Sequence, residues 1–238
     1  MSTGSPSDSG RTSTVNLVRT SHPWTKADSA AGFVLRYLAP MRRQLTEVLG
    51  SGERADEALK LLLSHLVSVG FGEHKRGRLR DFLLRGIRSA AKNCVAEIPA
   101  ADRQTLDLDS LTLESKQWIG FWREGLLERA WRSLERMEHA TPDPPVYSVL
   151  HYSTANRDAS SDQLANIIQS ETGIDIGAEG IDTILPESRA VFAQMVADEV
   201  AETLESPTGE DVKREIGQLG LGRAFNGIAV VATRSNAS

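Results

Sequence analysis

The sequence predicts an all-α fold made of two small helical domains joined by a linker. Apolar residues recur at spacings of three and four from Trp24 onward, glycine and proline clusters punctuate these runs, and one stretch of turn residues separates two groups of them. The divisions that follow are a flexible tail over 1–23, a helical domain over 24–96, a linker over 97–112, a second helical domain over 113–205, and a C-terminal helix end with a flexible tail over 206–238. At 238 residues the chain is long enough for each half to bury a core.

The first 22 residues are rich in Ser, Thr, Gly and Pro and lack apolar periodicity, so they do not offset the entropy of ordering. Phe33, Leu35, Tyr37, Leu38, Leu45, Val48 and Leu49 then carry a helical pattern that Gly50-Ser51-Gly52 ends and that Pro40 kinks or divides. A second helix follows. Asp56 and Glu57 lie near its positive end, Leu59, Leu62, Leu63, Leu66 and Val67 form its buried stripe, and Gly70-Phe71-Gly72 stops it.

The stretch from Lys75 to Asn93 concentrates positive charge in a chain whose net charge is -5. Leu79, Phe82, Leu83, Ile87 and Ala90 make an apolar stripe, so Lys75, Arg76, Arg78, Arg80, Arg85, Arg88 and Lys92 fall mostly on the faces beside it. Such a helix is anchored by its apolar side and offers a cationic one, which suits phosphates.

After the turn residues of the linker, Ile119, Trp122, Leu126, Ala130, Leu134 and Met137 predict a long helix from about Leu113 to His139, with Trp118 and Trp131 alongside. Thr141-Pro142-Asp143-Pro144-Pro145 stops it. Ser160 and Gln163 fit a capping box ahead of Leu164, Ile167 and Ile168, and Gly173 is a natural stop. Pro186 is expected to interrupt the next helix, where Asp182 and Glu187 would also repel phosphate. Residues beyond about Gly222 read as a frayed tail.

Composition narrows the function classes. An overall acidic balance excludes a generic nucleic-acid binder and leaves only a local contact. Cys94 is the only cysteine, which excludes an internal disulfide and multi-cysteine metal sites. His22, His65, His74, His139 and His151 have no zinc-site spacing, and Gly217, Gly220 and Gly222 make no dinucleotide fingerprint. No serine nucleophile elbow or paired acid and base stands out, so neither catalysis, a metal nor a cofactor is expected. With no apolar run long enough for a membrane and no apolar core in its first residues, the expectation is a cytoplasmic protein.

The run Arg76-Gly77-Arg78-Leu79-Arg80-Asp81-Phe82-Leu83-Leu84 resembles a signature of extracytoplasmic-function RNA polymerase sigma factors, in whose second conserved region this helix contacts the promoter. Glu179-Gly180-Ile181 and Glu199-Val200-Ala201-Glu202-Thr203 are similar to the two ends of that family's fourth-region recognition helix. The resemblance implies a region 2-like bundle and a region 4-like helix-turn-helix domain, with core RNA polymerase and promoter DNA as partners and an anti-sigma factor as a further one. It places polymerase docking at Asp56, Glu57 and Lys60, and DNA contact at the seven basic residues from Lys75 to Lys92. Lys60 stands where the family has a glutamine, Leu62-Leu63 replace two aromatics, and Arg189 alone remains of an arginine cluster. Leucine cannot stack on an unpaired base, so strand opening is expected to be weakened. An alternative reading is therefore a sigma-like interaction module that does not recognise promoters.

Overall fold

In a computed structural model, residues 14–18, 24, 27–72, 77–99 and 106–231 are described. They form nine α-helices and one two-stranded parallel sheet, in agreement with the helical class. In chain order these are β1 (Thr14–Asn16), α1 (Ala30–Leu35), α2 (Leu38–Leu49), α3 (Gly52–Val69), α4 (Leu79–Ala96), α5 (Lys116–Ala140), α6 (Val146–Ala155), α7 (Ser161–Thr172), α8 (Ala178–Glu202), α9 (Gly209–Gln218) and β2 (Ala229–Val231).

Local chemistry sets most of these boundaries. Pro40 falls in the first turn of α2, where a missing N–H leaves no intrahelical bond unmade, so the chain is divided between α1 and α2. Gly50 closes α2 at φ 65°, a left-handed conformation that a glycine adopts without Cβ strain. The capping box of α7 forms as expected: Ser160 Oγ accepts from the Gln163 N–H at 3.3 Å, and Gln163 Oε1 accepts from the Ser160 N–H at 2.9 Å.

The long helices α5 and α8 are the centre of the packing. Trp118, Trp122, Leu126, Ala130 and Leu134 bury one side of α5 completely. Tyr37, ahead of α2, stacks on Trp122 with ring centroids 4.8 Å apart. Arg129 of α5 donates a bidentate pair to Glu199 of α8, at 2.6 and 3.0 Å. One continuous core takes in Leu45, Leu83 and Ile87 from before the expected linker together with Trp122, Val196 and Val212 from after it. A smaller cluster of Val149, Leu164, Ile168 and Ile181 joins α6, α7 and the start of α8.

Two stretches expected as tails are structured in part. Thr14–Asn16 pairs in parallel with Ala229–Val231, while Val15, Leu17 and Val18 are buried. Gln194 of α8 fixes this strand, since its Nε2 donates to the Asn16 carbonyl at 2.8 Å and its Oε1 accepts from the Asn16 N–H at 2.9 Å. Ala229–Val231 likewise lies beyond the point where fraying was expected.

The expected break at Pro186 also gives way to a single 25-residue helix, α8. Pro186 is on the exposed side, so the carbonyl that loses its donor can meet water. The opposite side is held by buried Ile181, Ser188, Phe192 and Val196, and Ser188 Oγ donates to the Ile184 carbonyl at 3.0 Å. Packing of that buried side outweighs the one missing hydrogen bond.

Because the core is continuous, Trp122→Ala should cost about 3–5 kcal/mol. Thermal unfolding followed both by far-UV circular dichroism and by tryptophan fluorescence should show one transition at lower temperature. Separate transitions for the two halves would contradict a shared core.

Candidate nucleic-acid interface

The start of α4 is pinned before any side chain is considered. The Leu79 N–H donates at 2.8 Å to the carbonyl of Thr203, the residue that caps α8, so a free donor at one helix start meets a free acceptor at another helix end. Arg78 and Leu204 form an antiparallel bridge beside this contact. α4 then runs back along α3, and the two approach closely at Gly86, where a Cβ would lie 2.7 Å from Leu62 Cδ1.

This placement sorts the basic residues assigned to DNA. Arg80 is only 2% exposed. Its Nε and Nη2 donate to Oε1 and Oε2 of Glu215 on α9, at 2.6 and 3.3 Å, and Nη2 also donates to Gln218 Oε1 at 3.1 Å. Arg78 donates from Nε to Asp81 Oδ2 at 2.7 Å, and from Nη1 to Gln218 and to Glu215. Arg78 and Arg80, both assigned to DNA contact, are thus engaged by carboxylates and a carboxamide of the protein itself, Arg80 in the interior and Arg78 at its edge. Burying an arginine is tolerable only with such a partner.

Arg85, Arg88 and Lys92 behave differently. Spaced by three and four, they line one exposed strip of α4, and no hydrogen bond or ion pair to another described residue engages them. Beside this strip a groove of about 380 Å³ runs between α3 and α4, lined among others by Leu61, His65, Phe82, Arg85, Ser89 and Asn93. Lys75 and Arg76 lie outside the described residues.

The three residues assigned to polymerase docking occupy the outer surface of α3. Glu57 and Lys60 are exposed. Asp56 is exposed too but paired, accepting from Nε and Nη2 of Arg42 at 2.6 and 3.0 Å, which holds its carboxyl below the usual range. Farther along the helix Val67, expected in the buried stripe, is 74% exposed, and Leu61 and Val69 are exposed as well. α3 therefore carries three exposed apolar side chains among the polar residues of its outer side.

The region expected to read the major groove is poor in cations. α7 and α8 follow one another as a helix-turn-helix would, but the exposed residues in the first half of α8 include Glu179, Asp182 and Glu187 against Arg189 alone. Asp182 Oδ1 accepts from Ser161 Oγ at 2.5 Å, which ties the acidic surface to the start of α7.

Glu215 and Gln218 were not singled out from the sequence, although a signal was present. Glu215 sits on the same side of α9 as buried Val212, Ile216 and Leu219, and Arg80 sits with Leu83, Leu84 and Ile87 on the buried side of α4. Opposite charges on two apolar helix sides are a signature of a buried pair. α9 is further fixed by a capping box in which Thr208 donates from Oγ1 and N to Asp211 Oδ2, at 2.6 and 3.1 Å. These bonds hold the Asp211 carboxyl below its ordinary range.

Among the described residues no group of three or more His, Cys, Asp or Glu is placed to hold a metal, and no helix is long and apolar enough to cross a membrane. Burial, then the nearby Glu57 and Glu97, push the Cys94 thiol up, which disfavours its thiolate form. Comparison with protein families, with curated proteins and with solved structures finds no match.

Arg80→Ala should cost about 3–5 kcal/mol, because it strands a buried carboxylate. Arg85→Ala, Arg88→Ala and Lys92→Ala should each change stability by less than about 0.5 kcal/mol. Urea titrations of the four variants test this division. Since the Asp211 pKa is depressed in the folded state, its contribution is present at neutral pH and lost as pH falls through that lowered value. Asp211→Asn should therefore be less stable than wild type at neutral pH, with the difference closing on acidification in thermal melts.

Proposed function

We propose that this chain is a sigma factor-like transcription initiation protein that binds core RNA polymerase and directs it to promoter DNA. The observation that carries this reading is the strip of Arg85, Arg88 and Lys92, exposed and unpaired among the described residues on the helix that the resemblance assigns to promoter contact. Three aligned cations on a rigid helix can neutralise successive phosphates and release their counterions, although the protein is acidic overall. The outer side of α3, with Glu57, Lys60, Leu61 and Val67, is the matching surface for polymerase.

In this reading α1–α4 make the region 2-like unit and α5–α8 the region 4-like unit, with α7 and α8 as its helix-turn-helix. Lys75 and Arg76 extend the DNA contact, an anti-sigma factor is a further partner, and the site of action is the cytoplasm, where the polymerase works. No catalytic step belongs to the role.

A second reading, an interaction module that binds polymerase or another regulator without promoter recognition, is favoured by two observations. Arg78 and Arg80 are already occupied, and the exposed first half of α8 is acidic.

Co-purification with core polymerase followed by salt-titrated mobility shifts on promoter fragments separates the two. The sigma reading predicts binding that weakens steeply with salt. A triple Arg85→Ala, Arg88→Ala, Lys92→Ala variant should then show a log-log salt slope shallower by roughly 2–3, at about 0.9 for each phosphate no longer neutralised. Polymerase binding without any promoter shift would favour the interaction module. Failure to bind polymerase would remove the sigma reading.

A further inference from the structure

α9 presents Arg78 and Arg80 with three oxygens: both of the Glu215 carboxylate and Oε1 of Gln218. A guanidinium fork that takes a carboxylate in two parallel bonds fits a phosphate in the same way. We propose that α9 is an autoinhibitory lock, in which Glu215 and Gln218 occupy the place of DNA phosphates on Arg78 and Arg80. Release of α9 then frees Arg78 and Arg80, at the start of α4, in addition to the exposed Arg85, Arg88 and Lys92. The proposal rests on the DNA-binding reading given above.

Three features make this more than a structural pin. First, the two guanidiniums differ in access. The Arg80 and Glu215 side chains are each 3% exposed, but the Arg78 side chain is 31% exposed at the edge of a cavity of about 480 Å³, which Gly77, Glu205, Pro207, Arg214 and Gln218 help to line. A competing anion can reach Arg78 from this cavity before the buried pair opens. Second, α9 is a ten-residue helix joined to α8 through Ser206-Pro207, so the bend for its release falls between the two helices, with Val212 and Ile216 leaving the core as it opens. Third, the Gly77 N–H donates at 3.0 Å to Glu205 Oε2, so another carboxylate of the same C-terminal segment holds the chain just ahead of Arg78. The segment places carboxylates or a carboxamide against Gly77, Arg78 and Arg80, all within the basic run.

Glu215→Gln tests the lock, because it keeps the shape of the side chain while removing its charge. Binding of a fluorescent duplex by the full chain would be followed as anisotropy across a salt series, with amide hydrogen exchange of residues 209–218 read alongside. Glu215→Gln should bind at least about ten-fold tighter than wild type, with a log-log salt slope steeper by roughly two for the two arginines released. Gln218→Ala should move both quantities in the same direction by less. In the wild type, saturating duplex should speed exchange across α9. A folded Glu215→Gln protein with wild-type affinity and slope would overturn the lock and leave the pair a structural pin. If that variant does not fold, unchanged α9 exchange in DNA-saturated wild type overturns it equally. Absence of duplex binding by wild type and both variants at low salt would instead remove the DNA-binding reading, and the lock with it.

Discussion

The buried pair between Arg80 and Glu215 constrains the arrangement more than any other single contact. Neither group can be left in the interior alone, so the start of α4 and the side of α9 must meet, although 135 residues of chain separate them. Once they meet, the chain after α8 has to turn back at Thr203–Thr208, and the residues beyond α9 are delivered to the side of α8 where Thr14–Asn16 lies. The pair supplies specificity of placement more than net stability, since apolar side chains of similar volume could hold two helices together as well.

Around that pair the two halves of the chain share one interior. The stack of Tyr37 on Trp122 joins residues on opposite sides of the expected linker, and the bidentate Arg129–Glu199 contact braces the second half beside it. The free cations of α4, among the described residues, are Arg85, Arg88 and Lys92, at the far end of the basic run from Gly77. The cationic surface is thus divided into an available part and an occupied part, and only the occupied part touches the C-terminal segment.

Sequence periodicity revealed the helices well where one side of a helix meets the core over several turns. The apolar spacing of α5, the Ser160–Gln163 box and the Gly173 stop all rest on chemistry within a few residues. β1 and β2 were missed because three-residue strands have almost no pattern of their own, and their pairing spans the whole chain. Pro186 misled for a related reason: its local cost is real, but the packing that outweighs it comes from other helices. In the candidate site the positions of the basic residues were readable, whereas their availability was not. Charge alone does not tell Arg80, facing Glu215, from Arg85, facing water. Only the side of the helix on which each falls does so, and Val67 shows that an apolar residue on a helix need not be covered.

The division of the basic residues into held and free can be observed directly from the arginine Nε–H signals in a nitrogen-15 correlation spectrum of the free protein at neutral pH. A bond of 2.6 Å to a buried carboxylate should keep the Arg80 signal sharp and slow to exchange, while Arg85 and Arg88 exchange quickly and are the first to shift as duplex DNA is added. An Arg80 signal that exchanges as fast as that of Arg85 before any DNA is present would contradict this division.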